Sequence, residues 1–327
     1  MWRSPKLRRL GLGLVVAAGL CLGLAGCQKP AAGGGSSVVL KVASQKGGAR
    51  ALIEASHALD GAPYKVEWSE FPSAQTLLEA LNAGAIDLGA VGDAPFMFAY
   101  ASGAPIKVVQ AYRASAGGEA TALVVKDSSP LHDIAELKGK RIGTSKGSIG
   151  HYLVLRALRK AGLKPTDVTM VYLSPSDAKA ALAAGSVDVW ATWMPYIALS
   201  SLHGGGRVLV DGRGLLHGIG FEAANQAAID GKRAQVLDFL GRLAKAQQWE
   251  AVHEDEFAAV LAKETGLPLD VAKVTVTSQR PVPIVLDAAV TDEERETLAD
   301  FEAAKVIEKA PKVEAAFDPS FNSAVKP

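Results

Sequence analysis

One segment of the chain has the residue types and spacing of an anion-binding turn. "TSKGSIGHYLVLRAL", residues 144–158, places Gly147, Ser148 and His151 directly at the start of an amphipathic helical pattern. The first N–H groups of a helix lack partners within the helix and carry positive partial charge, so a small anion binds there. Ser148 and His151 could add hydrogen bonds, although a lone histidine is as often an ordinary polar residue. The segment indicates a compact anion site.

A near-copy of this turn occurs one hundred residues earlier. "VASQKG" (42–47), which contains Gln45, matches "IGTSKG" (142–147) at an offset of 100, and "ALNAGAIDLGA" (80–90) matches "ALAAGSVDVWA" (181–191) at 101. Taken alone, either turn is explained by glycine in a tight bend. Because two separate motifs recur at nearly the same offset, they instead predict two similar α/β lobes. The strand ends and helix starts of these lobes face each other across a cleft.

Two further segments lie at the ends of predicted buried strands. In "AVGDAPF", Gly92 and Asp93 precede a helix, where Asp93 either caps that helix or contacts a ligand. The matching segment, "WATWMPY", contains Trp190 and Trp193. Two tryptophans three residues apart after a strand predict a flat apolar wall for an alkyl or aryl tail, with core filling as the alternative.

Two charged candidates lie elsewhere in the chain. Arg280, in "TSQRPVP", precedes a proline-stiffened loop and either pairs with an anion or lies on the surface. Glu119, in "SAGGEATALVV", lies in a glycine-rich, hinge-like loop and either contacts the ligand or is solvated.

The motifs of common enzymes and cofactor sites are absent from the sequence. It contains no HExxH, GxSxG, Walker A or strand-following GxGxxG motif, and its six histidines lack metal-ligand spacing. Both cysteines lie in the first 27 residues. The pattern favours binding of a sulfonate, sulfate, nitrate or carboxylate group without catalysis, metal or cofactor. With 35 basic and 34 acidic residues, the net charge of +1 argues against nucleic acid as a partner.

The N-terminus resembles an export signal. Four basic residues precede an apolar run over residues 10–24 that is short for a bilayer span, and "LAGC" ends at Cys27. This pattern predicts a lipoprotein signal peptide over residues 1–27 with lipid on Cys27, or plain secretion as the alternative. "QKPAAGGGSS" (28–37) predicts a flexible tether.

From Val38 onward, short apolar runs alternate with helical periodicity, which indicates an α/β fold. "IKVVQAY" and "TALVVK" resemble a pair of strands, and the chain from Lys232 onward is predicted to be mainly helical.

The segments "LEALNAGAIDLGAVGDAPF", "LKGKRIGTSKGS", "KGSIGHYLVLRALRKAGL" and "ALAAGSVDVWATWMPY" resemble the periplasmic aliphatic-sulfonate-binding proteins of ABC importers. These belong to the nitrate/sulfonate/taurine group of solute-binding proteins. The resemblance implies a two-lobed periplasmic-binding-protein fold of type II-like form with two chain crossings. It places residues 38–125 plus 221–327 in lobe 1 and residues 126–220 in lobe 2. It also implies a monomer that delivers an alkanesulfonate to an inner-membrane permease.

The resemblance also assigns positions in the cleft. These are Gln45, Gly92, Asp93, Ser148, His151, Trp190, Trp193 and Arg280. One position departs from the family pattern: Met194 replaces an acidic residue. We hypothesise that this change disfavours amine-bearing solutes such as taurine. Binders of nitrate, taurine or thiamine precursors share the scaffold, as do desulfinases and a pyrimidine-precursor synthase.

Overall fold

The computed structural model describes residues 38–45 and 48–325. The predicted signal peptide, the tether and Cys27 lie outside the described residues.

The described strands are, in chain order, β1 (Val39–Gln45), β2 (Lys65–Phe71), β3 (Leu88–Gly92), β4 (Ile106–Ala114), β5 (Thr121–Lys126), β6 (Arg141–Thr144), β7 (Thr169–Tyr172), β8 (Val189–Trp193), β9 (Gly206–Asp211), β10 (Ile219–Asn225) and β11 (Pro281–Ile284). The described α-helices are α1 (Ala49–Ala55), α2 (Ala74–Asn82), α3 (Asp93–Ala101), α4 (Ile149–Lys160), α5 (Pro175–Ala184), α6 (Tyr196–His203), α7 (Gln226–Gly231), α8 (Arg233–Glu250), α9 (Glu254–Thr265), α10 (Leu269–Gln279) and α11 (Ala288–Ala303). Among the described residues, no helix is long and apolar enough to cross a membrane.

The strands form two mixed sheets, one in each lobe. The first has the order β11-β4-β10-β3-β1-β2 and the second the order β7-β6-β8-β5-β9. The first three strands of each sequence repeat form parallel pairs. In the first sheet β1 pairs with β2 and with β3, and in the second sheet β6 pairs with β7 and with β8. The chain crosses between the sheets twice, after β4 and after β9. The two-lobed α/β architecture predicted from sequence is confirmed.

The sequence repeat corresponds to one repeated piece of structure. Val42 lies opposite Leu88 in the first sheet, and Ile142 lies opposite Val189 in the second. The aspartate of each repeat accepts a hydrogen bond from a backbone N–H of the neighbouring strand. These bonds join Lys41 N to Asp87 Oδ2 at 2.7 Å, and Arg141 N to Asp188 Oδ2 at 2.8 Å. The repeated Asp therefore sets the strand register in both lobes.

The first lobe boundary lies earlier in the chain than the sequence predicts. Residues 121–125 belong to the second sheet rather than to lobe 1, because β5 pairs with β8 and β9. For the same reason β4 and β5 do not pair with each other. Both are apolar and adjacent in sequence, and only their distant partners distinguish them. The proline-containing strand β11 was not predicted; it lies at the edge of the first sheet, where a missing N–H is tolerated.

The two crossings pack directly against each other through glycines. A Cβ atom on Gly118 would lie 2.3 Å from the carbonyl oxygen of Gly212, which is closer than real atoms approach. The first crossing contains a 3-10 turn, Gly117–Ala120. The segments that join the lobes are thus in backbone-to-backbone contact.

Candidate ligand-binding site between the lobes

One cavity of about 430 Å³ lies where the lobes meet, a volume within the range of small-molecule sites. Both lobes and both crossings contribute to its wall: Gln45, Gly92 and Asp93 from the first, Ser148, Trp193 and Met194 from the second, and Gly117, Gly118 and Gly218 from the crossings. The described residues Gln45 and Gly48 of the first predicted turn and Ser148 of the second thus line the same cavity.

The starts of five helices line this cavity. They belong to α1, α2, α3, α4 and α6, represented by Ala49, Gln75, Asp93, Ile149 and Tyr196. The described lining residues include no lysine or arginine. The backbone N–H groups at these helix starts provide positive potential, which suits a singly charged anion with dispersed charge.

Ser148 is the N-cap of α4 and lies at the cavity wall. Its Oγ accepts a hydrogen bond from the His151 backbone N–H at 3.1 Å and lies 3.3 Å from the Thr144 hydroxyl. The Thr144 hydroxyl donates to the Ala191 carbonyl at 3.0 Å. The Ser148 hydrogen is thus left for the Thr144 oxygen or for a ligand.

Two glutamines supply amide groups from the first lobe. Gln45 lines the cavity and donates through Nε2 to the Ala90 carbonyl at 3.2 Å. Gln75, which the sequence analysis missed, has both amide atoms buried without a hydrogen-bond partner among the described residues. Its place in the first turn of a helix after a strand was the available signal. Gln75 is therefore a candidate donor to the anion.

Asp93 is fully buried at the start of α3. One carboxylate oxygen accepts from the Ala94 N–H at 2.6 Å, and the other has no partner among the described residues. Burial raises the pKa of Asp93 well above its usual range. The N-cap of α3 is Gly92 rather than Asp93, and the Asp93 side chain does not form the predicted cap.

The two tryptophans have different roles. Trp193 lines the cavity and packs edge-on against Tyr196, with ring centroids 6.1 Å apart. Trp190 is buried in the core of the second lobe and does not line the cavity. The prediction of a shared wall was wrong for Trp190, because residues three apart on a strand point to opposite faces.

His151 does not reach the cavity wall. Its ring packs against Tyr172 and Phe301, and its Nδ1 accepts a hydrogen bond from the Gly147 N–H at 3.1 Å. Burial lowers the pKa of His151 to about 4, so the imidazole is neutral at pH 7. The structure assigns it to shaping the turn, and Gly147 likewise lies behind the wall.

Arg280 and Glu119 also lie outside the lining. Arg280 is exposed and its Nε pairs with the Glu254 carboxylate at 2.6 Å. Glu119 belongs to the first crossing, where Gly118 and Ala120 line the cavity and Glu119 does not. The sequence could not show these outcomes, since Glu254 lies 26 residues from Arg280 and on another helix.

The structure adds acidic residues that the sequence analysis missed. Glu222 and Glu250 both line the cavity. Burial raises the pKa of each to about 8, with the charge of Glu254 contributing secondarily at Glu250. A lone glutamate within the apolar strand pattern "GIGFEAAN" was a usable signal, because such a residue is costly to bury unpaired.

Comparison with known proteins agrees with this geometry. Residues 65–210 match the family described as NMT1/THI5 like. A protein of Escherichia coli (strain K12) named for binding aliphatic sulfonates is 38% identical over 252 residues, covering 76% of this chain and 78% of its own.

Solved structures show the same relationship. The alkanesulfonate-binding protein SsuA from Xanthomonas axonopodis pv. citri, bound to MOPS, is 35% identical with a TM-score of 0.81, covering 87% of this chain and 99% of its own. The periplasmic aliphatic sulphonate-binding protein SsuA from Escherichia coli is 33% identical with a TM-score of 0.77, covering 86% and 92%. The desulfurization enzyme DSZB shares the fold, at 17% identity and a TM-score of 0.62. The chain belongs to the SsuA-like family of solute-binding proteins.

Proposed function

We propose that the protein binds an aliphatic sulfonate in the cavity between its lobes and delivers it to the permease of an ABC importer. The observation that supports this most is the convergence of five helix N-termini on one cavity between the lobes. A sulfonate spreads one negative charge over three oxygens, so it can accept several backbone hydrogen bonds at once. Relatives with this fold are named as binders of aliphatic sulfonates.

The expected affinity follows from a few such contacts. Hydrogen bonds to a charged group contribute about 1.5–3 kcal/mol each. Three or four of them, partly offset by the cost of association, give roughly micromolar binding. Apolar contact with Trp193 and Met194 would add affinity for the tail.

Isothermal titration of the purified protein tests the proposal. The ligands are a series of alkanesulfonates, taurine, nitrate, sulfate and a thiamine precursor. We expect alkanesulfonates to bind and their affinity to rise with chain length. A protein that binds nitrate or sulfate more tightly than every sulfonate would contradict the assignment.

An enzymatic role on the same fold is the alternative from another class, since DSZB has this fold. Desulfinases that resemble it use a cysteine nucleophile, and this chain has no cysteine after Cys27. We propose that the bound sulfonate is released unchanged. Mass spectrometry of the sulfonate after prolonged incubation tests this, and a desulfonated product would show catalysis.

We also propose export to the cell envelope with lipid on Cys27, and action as a monomer. The Cys27→Ser protein should move from the membrane fraction to the soluble periplasmic fraction. Equal distribution of both proteins would show that Cys27 carries no anchor.

A further inference from the structure

The cavity extends from the helix N-termini into the first lobe. This inner part, here called the inner compartment, lies between the sheet strands β4 and β10 and the helices α8 to α10. Its polar wall consists of Tyr112, Glu222, Gln247, Glu250 and Thr275. Leu243 and Phe257 are among its apolar neighbours. The inner compartment therefore combines carboxyl and amide groups with an otherwise apolar lining.

Hydrogen-bond acceptors in this region lack donors. Glu222 is 1% exposed, and neither of its carboxylate oxygens has a partner among the described residues. The Oε1 atoms of Gln247 and of Gln110, which lies opposite Glu222 on β4, are also unpartnered. The Gln110 amide instead donates to the Leu240 carbonyl at 3.3 Å. Gln110 does not line the cavity, whereas Glu222 and Gln247 do. Unsatisfied buried acceptors are uncommon in folded proteins, so those of Glu222 and Gln247 on the cavity wall point to a missing donor.

The described lining residues cannot supply that donor as a cation, because they include no lysine, arginine or histidine. Glu250, 3% exposed, adds a second carboxyl group to the same wall. An alkylammonium group carries three N–H donors and a positive charge, and its alkyl chain suits the apolar walls.

We propose that the inner compartment binds the ammonium end of a zwitterionic aminosulfonate whose sulfonate lies at the helix N-termini. The inference rests on the proposed function and narrows its substrate class. Glu222 and Glu250 come from β10 and α8, so they supply carboxyl groups independently of the position occupied by Met194. The proposal therefore predicts the opposite of the amine rejection inferred from Met194.

Burial keeps both carboxyl groups protonated at neutral pH in the unliganded cavity, because it raises the pKa of each to about 8. An ammonium group would stabilise an ionised Glu222, whose proton would pass to solvent on binding.

Matched ligand pairs provide the test. Calorimetry compares taurine, 3-aminopropanesulfonate and longer homologues, each with the alkanesulfonate in which a methyl group replaces the ammonium. We expect at least one aminosulfonate to bind about tenfold or more tightly than its methyl counterpart, the effect of one charge-assisted hydrogen bond. The Glu222→Gln variant should abolish that preference, so that the two members of each ligand pair bind it with affinities within about twofold of each other.

Controls separate this effect from a general change in charge or folding. Glu256→Gln makes the same substitution at an exposed position of α9 and should leave the preference intact. If thermal unfolding shows that Glu222→Gln does not fold, Glu250→Gln takes its place in the same comparison.

Equal binding within every ligand pair would overturn the proposal and leave the inner compartment as a hydrated or apolar tail site. So would a preference that both glutamine variants retain. Failure of all sulfonates to bind would instead refute the proposed function, and the inference with it.

Discussion

The ring of Phe98 lies against the backbone of Gly147, joining α3 of the first lobe to the turn before α4 of the second. A Cβ atom on Gly147 would lie 2.4 Å from two ring carbons of Phe98. Gly147 also has a φ of +71°, which side chains other than glycine adopt at a cost. The lobes can meet here only because this residue has no side chain.

Gly147→Ala should therefore weaken ligand binding by tenfold or more, about 1.4 kcal/mol, because it blocks the contact between the lobes. Gly139→Ala is the matched control: its φ is +76° and no atom lies within 4 Å of the added Cβ. Both variants carry similar backbone strain, but only Gly147→Ala meets Phe98. Calorimetry should show near-normal affinity for Gly139→Ala, and equal losses in both would show that the contact has no role in binding.

The two tryptophans should separate binding from stability. Trp193→Ala should reduce affinity for long-chain sulfonates with little change in unfolding free energy, because its ring lines the cavity. Trp190→Ala should lower the unfolding free energy by about 3–5 kcal/mol, because the ring fills the core. Denaturant unfolding and calorimetry measure both. A large stability loss in Trp193→Ala with unchanged affinity would refute this division.

Glu222 should make stability fall as pH rises. Its pKa is raised from 4.5 to about 8 in the folded protein, by burial. Between these values the unfolded chain binds fewer protons than the native one, so its ionisation favours unfolding by at most about 1.4 kcal/mol per pH unit. The stability that protonated Glu222 contributes is fully present below pH 4.5 and is lost as pH rises to 8.

Glu222→Gln should flatten this part of the pH profile and be more stable than the parent protein at pH 8. Urea unfolding at a series of pH values measures the difference. Parallel profiles for the two proteins would show that Glu222 does not titrate in this range.

An ionic contact ties α4 to the C-terminal helix α11. Arg156 pairs with Glu296 and with Asp300, the second at 3.2 Å, and its side chain is only 14% exposed. The same helix reaches the first lobe, where Phe301 packs against Phe98 with ring centroids 6.2 Å apart. Arg156 therefore contributes to the contact between lobes from outside the cavity.

Arg156→Met should lower the unfolding free energy by about 1–3 kcal/mol and weaken ligand affinity severalfold. Arg141→Met provides the comparison, because Arg141 pairs with Asp188 within the second lobe at 2.8 Å. It should reduce stability without changing affinity. If both arginine variants bind the ligand as the parent does, the α4–α11 contact does not influence binding.

Much of the fold could be predicted because local patterns repeat. The offset between the copies revealed two lobes, and Asp87 and Asp188 prove to occupy equivalent places in the two sheets. Ser148 was identified as a cavity residue because a helix N-cap is a local property.

Other parts of the site depend on distant partners. His151 is held by Tyr172 and Phe301, and Arg280 by Glu254. The assignment of β5 to the second sheet depends on β8 and β9, both far along the chain. Local sequence contains no record of these pairings.

The sequence by itself determined that the protein has two related lobes, with helix starts suited to an anion, because periodicity, caps and turns arise from neighbouring residues. The tertiary structure alone decided that Trp193 faces the cavity while Trp190 fills the core, and that Glu222 lies unpaired at the inner compartment. The physical reason is that the direction and partners of a side chain depend on packing between segments far apart in the chain.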